Sequence, residues 1–246
     1  EGTMTVAPEG GAATDVPLRV EVLPFDLQRS ERKAFGMYEQ MDLSPLARDR
    51  VRAELQDLRD HHVTRLFSYL KLRHEVVDGE AVTSYDEVAE GLALLAEFGF
   101  HGEIVVQDGF QQLARTLGHA DVEQGSHGKS LVDDADYEAS VKAAIEGLDP
   151  LREQYPQFEI VLTHMDEVMG RHRLDLYINL ARPIRQVPDQ RIYITMHTLP
   201  RDWVPEAAAK LDPWMDIRCY NGHALDLYIQ AGGSWEALEQ DLADAG

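Results

Sequence analysis

Phe158-Glu159-Ile160-Val161-Leu162-Thr163-His164-Met165-Asp166-Glu167 is an apolar run of strand length that ends in two adjacent carboxylates. Continuous apolar runs mark strands buried on both faces, as in parallel sheets covered by helices. Polar groups at the carboxyl end of such a strand stand at the edge where α/β sheets bind their ligands. Packing alone would not select two acids there, so Glu167 is the first candidate catalytic residue.

Strands and helices alternate on both sides of this run. Phe35 to Tyr38 reads as a strand, and Ser44-Pro45 opens a helix to about His61 with Val51, Leu55 and Leu58 at helical spacing. Val63 to Leu70 is a strand, Asp78-Gly79 marks a small hairpin, and Ser84 caps a helix to Phe98 with Glu87 completing a capping box. Glu103 to Gln107 is a strand. It is followed by a polar insert, Asp108 to Ala135, with a short helix at Phe110 to Leu117. Tyr137 to Tyr155 reads as one helix and Leu174 to Val187 as another, bent or ended at Pro183. Strands at Arg191 to Met196 and Met215 to Tyr220, a short helix at Pro205 to Leu211 and a capped helix at Ser234 to Ala245 complete the series.

Repeated strand–helix units predict a parallel sheet. The chain has neither G-x-G-x-x-G nor G-x-x-x-x-G-K-[ST], which argues against a nucleotide-binding doubly wound sheet. The expectation is therefore a TIM (β/α)8-type barrel, incomplete, with about six units over residues 35–246; a full barrel takes about 250 residues. Residues 1–25 read differently: Thr3 to Val6 and Val16 to Val22 are strand-like around the Pro8 to Gly11 turn. They are expected to be the terminal hairpin of a β-sandwich, with 26–34 as linker and the rest of a longer parent chain on either side.

The chain has 44 acidic against 23 basic residues, a formal net charge of -21. Nucleic acid and anionic membrane surfaces need basic patches, so neither is expected as a partner. No run of about 18 apolar residues predicts a membrane span. Cys219 is the only cysteine, which excludes an intrachain disulfide and leaves a secreted or periplasmic location open. No G-x-S-x-G motif supports a serine hydrolase.

Cleavage of a glycosidic bond needs a carboxylic acid for the leaving oxygen and a second carboxylate as nucleophile or base. Adjacent side chains diverge, so Asp166 and Glu167 are not that pair; Glu167 is the acid/base, and Asp166 binds a sugar hydroxyl or holds Glu167. The plain alternative is that both cap the following helix near Arg171. His164, His197 and His223 fall at strand ends and suit contacts to substrate, or a structural role. A metal site is disfavoured because the Gly36 to Glu39 strand lacks the His-x-His pair of barrel metal hydrolases. No cofactor is expected. Sugar rings stack on aromatic faces, which brings in Tyr38, Tyr69 and Tyr220, with Asn221 and Asp108 as hydroxyl ligands. The same residues would also serve a glycan-binding module without chemistry.

Leu23-Pro24-Phe25, the linker, Phe35-Gly36-Met37-Tyr38, the stretch Asp57-Leu58-Arg59-Asp60-His61-His62-Val63-Thr64 and Asp166-Glu167 together carry a resemblance. The chain resembles the barrel domain of glycoside-hydrolase-like proteins with an N-terminal β-sandwich, similar to the β-galactosidase-type clan. The resemblance implies an acid/base glutamate at Glu167, with Asp166 where that clan commonly has Asn. It also implies a nucleophile on a seventh strand past Gly246, so that this piece alone is inactive.

Overall fold

The computed structural model describes residues 2–21, 36–39, 41–68, 70–78, 80–122, 127–165, 170–196, 210–220, 226, 229–230, 232–236 and 240. The chain divides into two compact units, Glu1–Lys33 and Ala34–Gly246.

The first unit holds β1 (Gly2–Val6) and β2 (Thr14–Leu18), an antiparallel pair running from Gly2↔Leu18 to Val6↔Thr14. The turn at Pro8 to Gly11 sets this register, with Gly11 N–H donating to the Pro8 carbonyl at 3.1 Å. β2 therefore begins two residues before the apolar alternation and stops at Leu18, where its five-residue partner runs out. Val20, beyond the end of β2, is 78% exposed.

The second unit runs β3 (Gly36–Glu39), α1 (Arg48–Asp60), β4 (Arg65–Ser68), β5 (Leu70–Lys71), β6 (Arg73–Val77), β7 (Glu80–Ser84), α2 (Asp86–Glu97), β8 (Gly102–Gln107) and α3 (Phe110–Thr116). It continues with α4 (Ala135–Glu146), α5 (Asp149–Gln154), β9 (Phe158–Thr163), α6 (Gly170–Ile184), β10 (Tyr193–Met196) and β11 (Ile217–Tyr220). Val51 and Leu55 of α1 and Val88, Leu92 and Leu95 of α2 are buried, as their spacing predicts. The expected capping box of α2 is not formed. Tyr85 takes the cap position, and Glu87 instead pairs with Arg73 at 2.6 Å. The single helix expected over Tyr137 to Tyr155 is two. It breaks at Gly147-Leu148, and Pro150, which cannot donate to a preceding turn, lies in the first turn of α5. A side chain at Gly147 would also strike Tyr85, its Cβ overlapping the phenol oxygen.

Parallel ladders join β3 to β4, β5 to β8, β8 to β9 and β10 to β11, and a parallel bridge links Leu162 to Ile192. β6 and β7 form the hairpin predicted at Asp78-Gly79, with Asp78 at φ 53°. This architecture corrects the barrel expectation. The fold is mixed α/β with sheets of two or three strands, some antiparallel, and no eight-stranded parallel cylinder closes among the described residues. A closed barrel needs unbroken pairing at a constant stagger; here β9 meets the chain ahead of β10 through a single bridging pair. The first unit is one two-stranded hairpin whose described residues are all exposed.

The main core fills one face of the β8–β9 ladder. Ile104, Val106, Ile160 and Leu162 pack there with residues of α2, α3, α4 and α6, including Leu92, Phe110, Val141 and Leu180. A second cluster, Val105, Val161 and Tyr193 with Phe67, Ile217 and Cys219 against it, covers the opposite face.

Candidate functional site

Strand alternation decides which side chains reach each face of this sheet. Even-numbered residues of β8 and β9 meet the helices. Odd-numbered ones line the other face in three bands, each set by the β8–β9 register. Glu103↔Glu159 is the charged band at the amino edge, Val105↔Val161 is apolar, and Gln107↔Thr163 is polar at the carboxyl edge. Arg65 reaches Glu103 at 2.6 Å and Arg191 reaches Glu159 at 2.9 Å, so the amino-edge charges neutralise one another. At the carboxyl edge Gln107 and Thr163 are half-buried, and among the described residues their side chains make no hydrogen bond. The Asp108 N–H donates to the Thr163 carbonyl at 3.0 Å, carrying the pairing one step past the ladder and keeping the two strand ends level.

Asp108 and His164 have the other parity, and their side chains turn into the helix layer with no solvent exposure. Asp108 Oδ1 accepts the Phe110 N–H at 2.9 Å, which fixes the start of α3. His164 Nε2 donates to the Tyr177 carbonyl at 3.2 Å and its ring lies 4.2 Å from that of Tyr177. In a neutral imidazole this donation leaves the lone pair on Nδ1. Nδ1 stands 3.6 Å from Asp108 Oδ2, and neither atom has another partner. The two atoms thus face each other across a dry interior.

A ring of buried polar groups surrounds the pair. The Tyr137 hydroxyl is held well above its ordinary pKa, first by burial and then by the nearby Asp108 charge. Burial also raises Tyr177, opposed by Arg185 and reinforced by Asp108 and Asp216. His74 donates from Nε2 to the Asp108 carbonyl at 2.6 Å and accepts from Thr83 Oγ1 at 3.0 Å. Burial lowers its pKa against that hydrogen bond, so it stays neutral. Gly109, at φ 68°, lets the chain pass: a Cβ there would sit 2.8 Å from the Leu72 carbonyl oxygen.

The expected sugar contacts from Asp108 and His164 are not what this placement provides. Both side chains are walled in, and their geometry suits holding the strand ends rather than touching a ligand. Tyr38 stands opposite Phe67 in the β3–β4 register and Tyr220 opposite Met196 in the β10–β11 register. Glu167, Asp166, His197, Asn221 and Tyr69 lie outside the described residues. The residues that sequence reasoning missed are Gln107 and Thr163; their odd parity beside Val105 and Val161 was the available signal. Among the described residues no three His, Cys, Asp or Glu side chains group to hold a metal ion, and no helix is long and apolar enough to cross a membrane. No protein-family model matches the chain, and no curated protein matches it either.

Proposed function

We propose that the chain carries a glycoside-cleaving site at the carboxyl edge of its parallel strands, with Glu167 as the general acid and then base, and Asp166 as its orienting or hydroxyl-binding neighbour. The observation that carries this reading is the level ending of β8 and β9, Gln107 opposite Thr163, three residues before Asp166. That edge offers neutral hydrogen-bonding side chains of the kind that receive sugar hydroxyls. In the sequence two carboxylates follow, the first of them three residues after Thr163, and their chemistry fits proton donation to a leaving glycosidic oxygen. The buried His164–Tyr177 contact anchors the strand end from which that segment leaves. The acidic surface of the chain is compatible with a neutral saccharide as partner and incompatible with a polyanion spread over it.

The test uses 4-nitrophenyl and alkyl glycosides side by side, with the full-length protein. Glu167→Gln should lower turnover of the alkyl glycosides by roughly a hundredfold or more. It should cost the nitrophenyl compounds less in the bond-breaking step, because a nitrophenolate leaves without a proton. Equal turnover by Glu167→Gln and the parent protein on every substrate would remove Glu167 from the chemistry.

A further inference from the structure

We propose a second site, for a small phosphate or sulfate ester, in a cleft of about 330 Å³ between α6 and the loop ahead of α4. The proposal is independent of the glycosidase reading. Lys129, Arg182 and Lys210 line the cleft together with His127, Asp175 and Asn179. Arg182 and Lys129 therefore face one carboxylate, Asp175, which is already engaged by His127 Nδ1 at 2.8 Å. This is a reversal of local sign in a chain with a formal charge of -21.

Arg48, Arg52, Arg73, Arg185 and Arg191 each hold a carboxylate. Among the described residues neither Arg182 nor Lys129 pairs with one. Arg182 is nonetheless held in place. Its Nε donates to Asn179 Oδ1 at 3.2 Å and its guanidinium lies 5.2 Å from the centre of the Trp214 ring. Those two contacts use one edge and one face of the guanidinium and leave the planar fork, whose geometry matches two oxygens of a phosphate or sulfate.

The opposite wall is equally fixed. Asn179, buried on α6, donates from Nδ2 to the His127 carbonyl at 2.9 Å. Gly128 N–H donates to the Asp121 carbonyl at 2.9 Å. Gly128 has φ 59°, which favours glycine, and a Cβ there would lie 2.6 Å from Leu176 Cδ1, so the loop that presents Lys129 runs close against α6. Asp121, on the same loop, is engaged by the Ser130 N–H at 3.0 Å and by the Ser130 hydroxyl. The result is a pre-formed basic concavity large enough for a tetrahedral anion with a small organic group attached.

Calorimetric titration of the whole chain at low ionic strength, with inorganic phosphate, inorganic sulfate, glucose 6-phosphate and glucose 6-sulfate, tests this. The expected result is saturable binding of at least one ester with a Kd under about 1 mM. Arg182→Gln and Lys129→Gln should each weaken it roughly tenfold, and Lys142→Gln, in the exposed i,i+4 pair with Glu146, should leave it unchanged. Inorganic ions binding as tightly as the esters would assign the site to the free anion. The exposed Lys129 makes its variant safe for folding even if loss of the Arg182–Trp214 contact perturbs α6. Absence of saturable binding by all four probes, or binding that both variants leave intact, overturns the proposal.

Discussion

Replacing Asp108 by asparagine and by alanine separates the two jobs of that carboxylate. Oδ1 accepts the buried Phe110 N–H at 2.9 Å, and Oδ2 faces His164 Nδ1 at 3.6 Å. Asparagine keeps the first acceptor, and its amide N–H2 turns toward the Nδ1 lone pair, a donor where a second acceptor stood. Alanine relieves the lone-pair contact equally but orphans the Phe110 N–H. The difference between the two variants therefore isolates one buried hydrogen bond plus a small cavity. An unsatisfied buried donor costs about 2 kcal/mol, and the lost packing adds about 1 kcal/mol. The Asp108→Asn protein should thus exceed the Asp108→Ala protein in stability by about 3 kcal/mol, and should itself lie within about 1 kcal/mol of the parent. Urea unfolding at pH 7, followed by tryptophan fluorescence, reads the difference as a shift in midpoint at constant slope. Two variants of equal stability, both close to the parent, would refute the assigned role of Oδ1. An Asp108→Asn variant as damaged as Asp108→Ala would show that a carboxylate, rather than a neutral amide, is what the pocket requires.

Two further outcomes follow from buried geometry. His74 has its pKa lowered from 6.5 by burial, so the folded state takes up its proton later than the unfolded chain. Its contribution is complete above about pH 6.5 and is lost as the pH falls from there toward the lowered folded value. His74→Gln should flatten the stability profile as the pH falls below 6.5 in urea titrations, and an unchanged slope would exclude His74 as its source. Gly91 of α2 lies against β5: a Cβ there would overlap both δ carbons of Leu70, itself 2% exposed. Gly91→Ala gains up to about 1 kcal/mol of helix propensity and loses about 2–3 kcal/mol to overpacking, a net loss of about 1–2 kcal/mol. In a Leu70→Ala background the same change should become neutral or stabilising, and a cycle without coupling would contradict the contact.

Local elements were legible where one signal dominated. Val51 and Leu55, Val88 and Leu92, the Asp78-Gly79 turn and the apolar runs at Ile104 and Ile160 all fell as their periodicity predicts. Failures came where two signals competed. Ser84 and Glu87 form a capping-box pattern, but Arg73 on the neighbouring strand offers Glu87 a charged partner, and that contact wins. Tyr137 to Tyr155 keeps helical spacing throughout, yet Pro150 and the close approach of Tyr85 to Gly147 break it. The barrel expectation failed for a different reason. Alternating strands and helices specify parallel pairing between neighbours, but closure depends on stagger and strand length, which no periodicity encodes.

The same alternation that misled about closure would have corrected the site. Reading β8 and β9 as strands with Val105 and Val161 on one face places Asp108 and His164 on the other, among the helices. No ligand is then needed to explain their polarity, because α3 needs an acceptor for the Phe110 N–H and α6 offers the Tyr177 carbonyl to an imidazole. The polar residues that packing leaves unexplained are the odd ones, Gln107 and Thr163, which no helix claims. Charge at the amino edge of this face is consumed internally by Arg65, Glu103, Glu159 and Arg191. Hydrogen-bonding capacity at the carboxyl edge is not. That asymmetry along a single sheet face leaves uncommitted hydrogen-bonding side chains at one end, and it is the end after which the sequence runs on into Asp166 and Glu167.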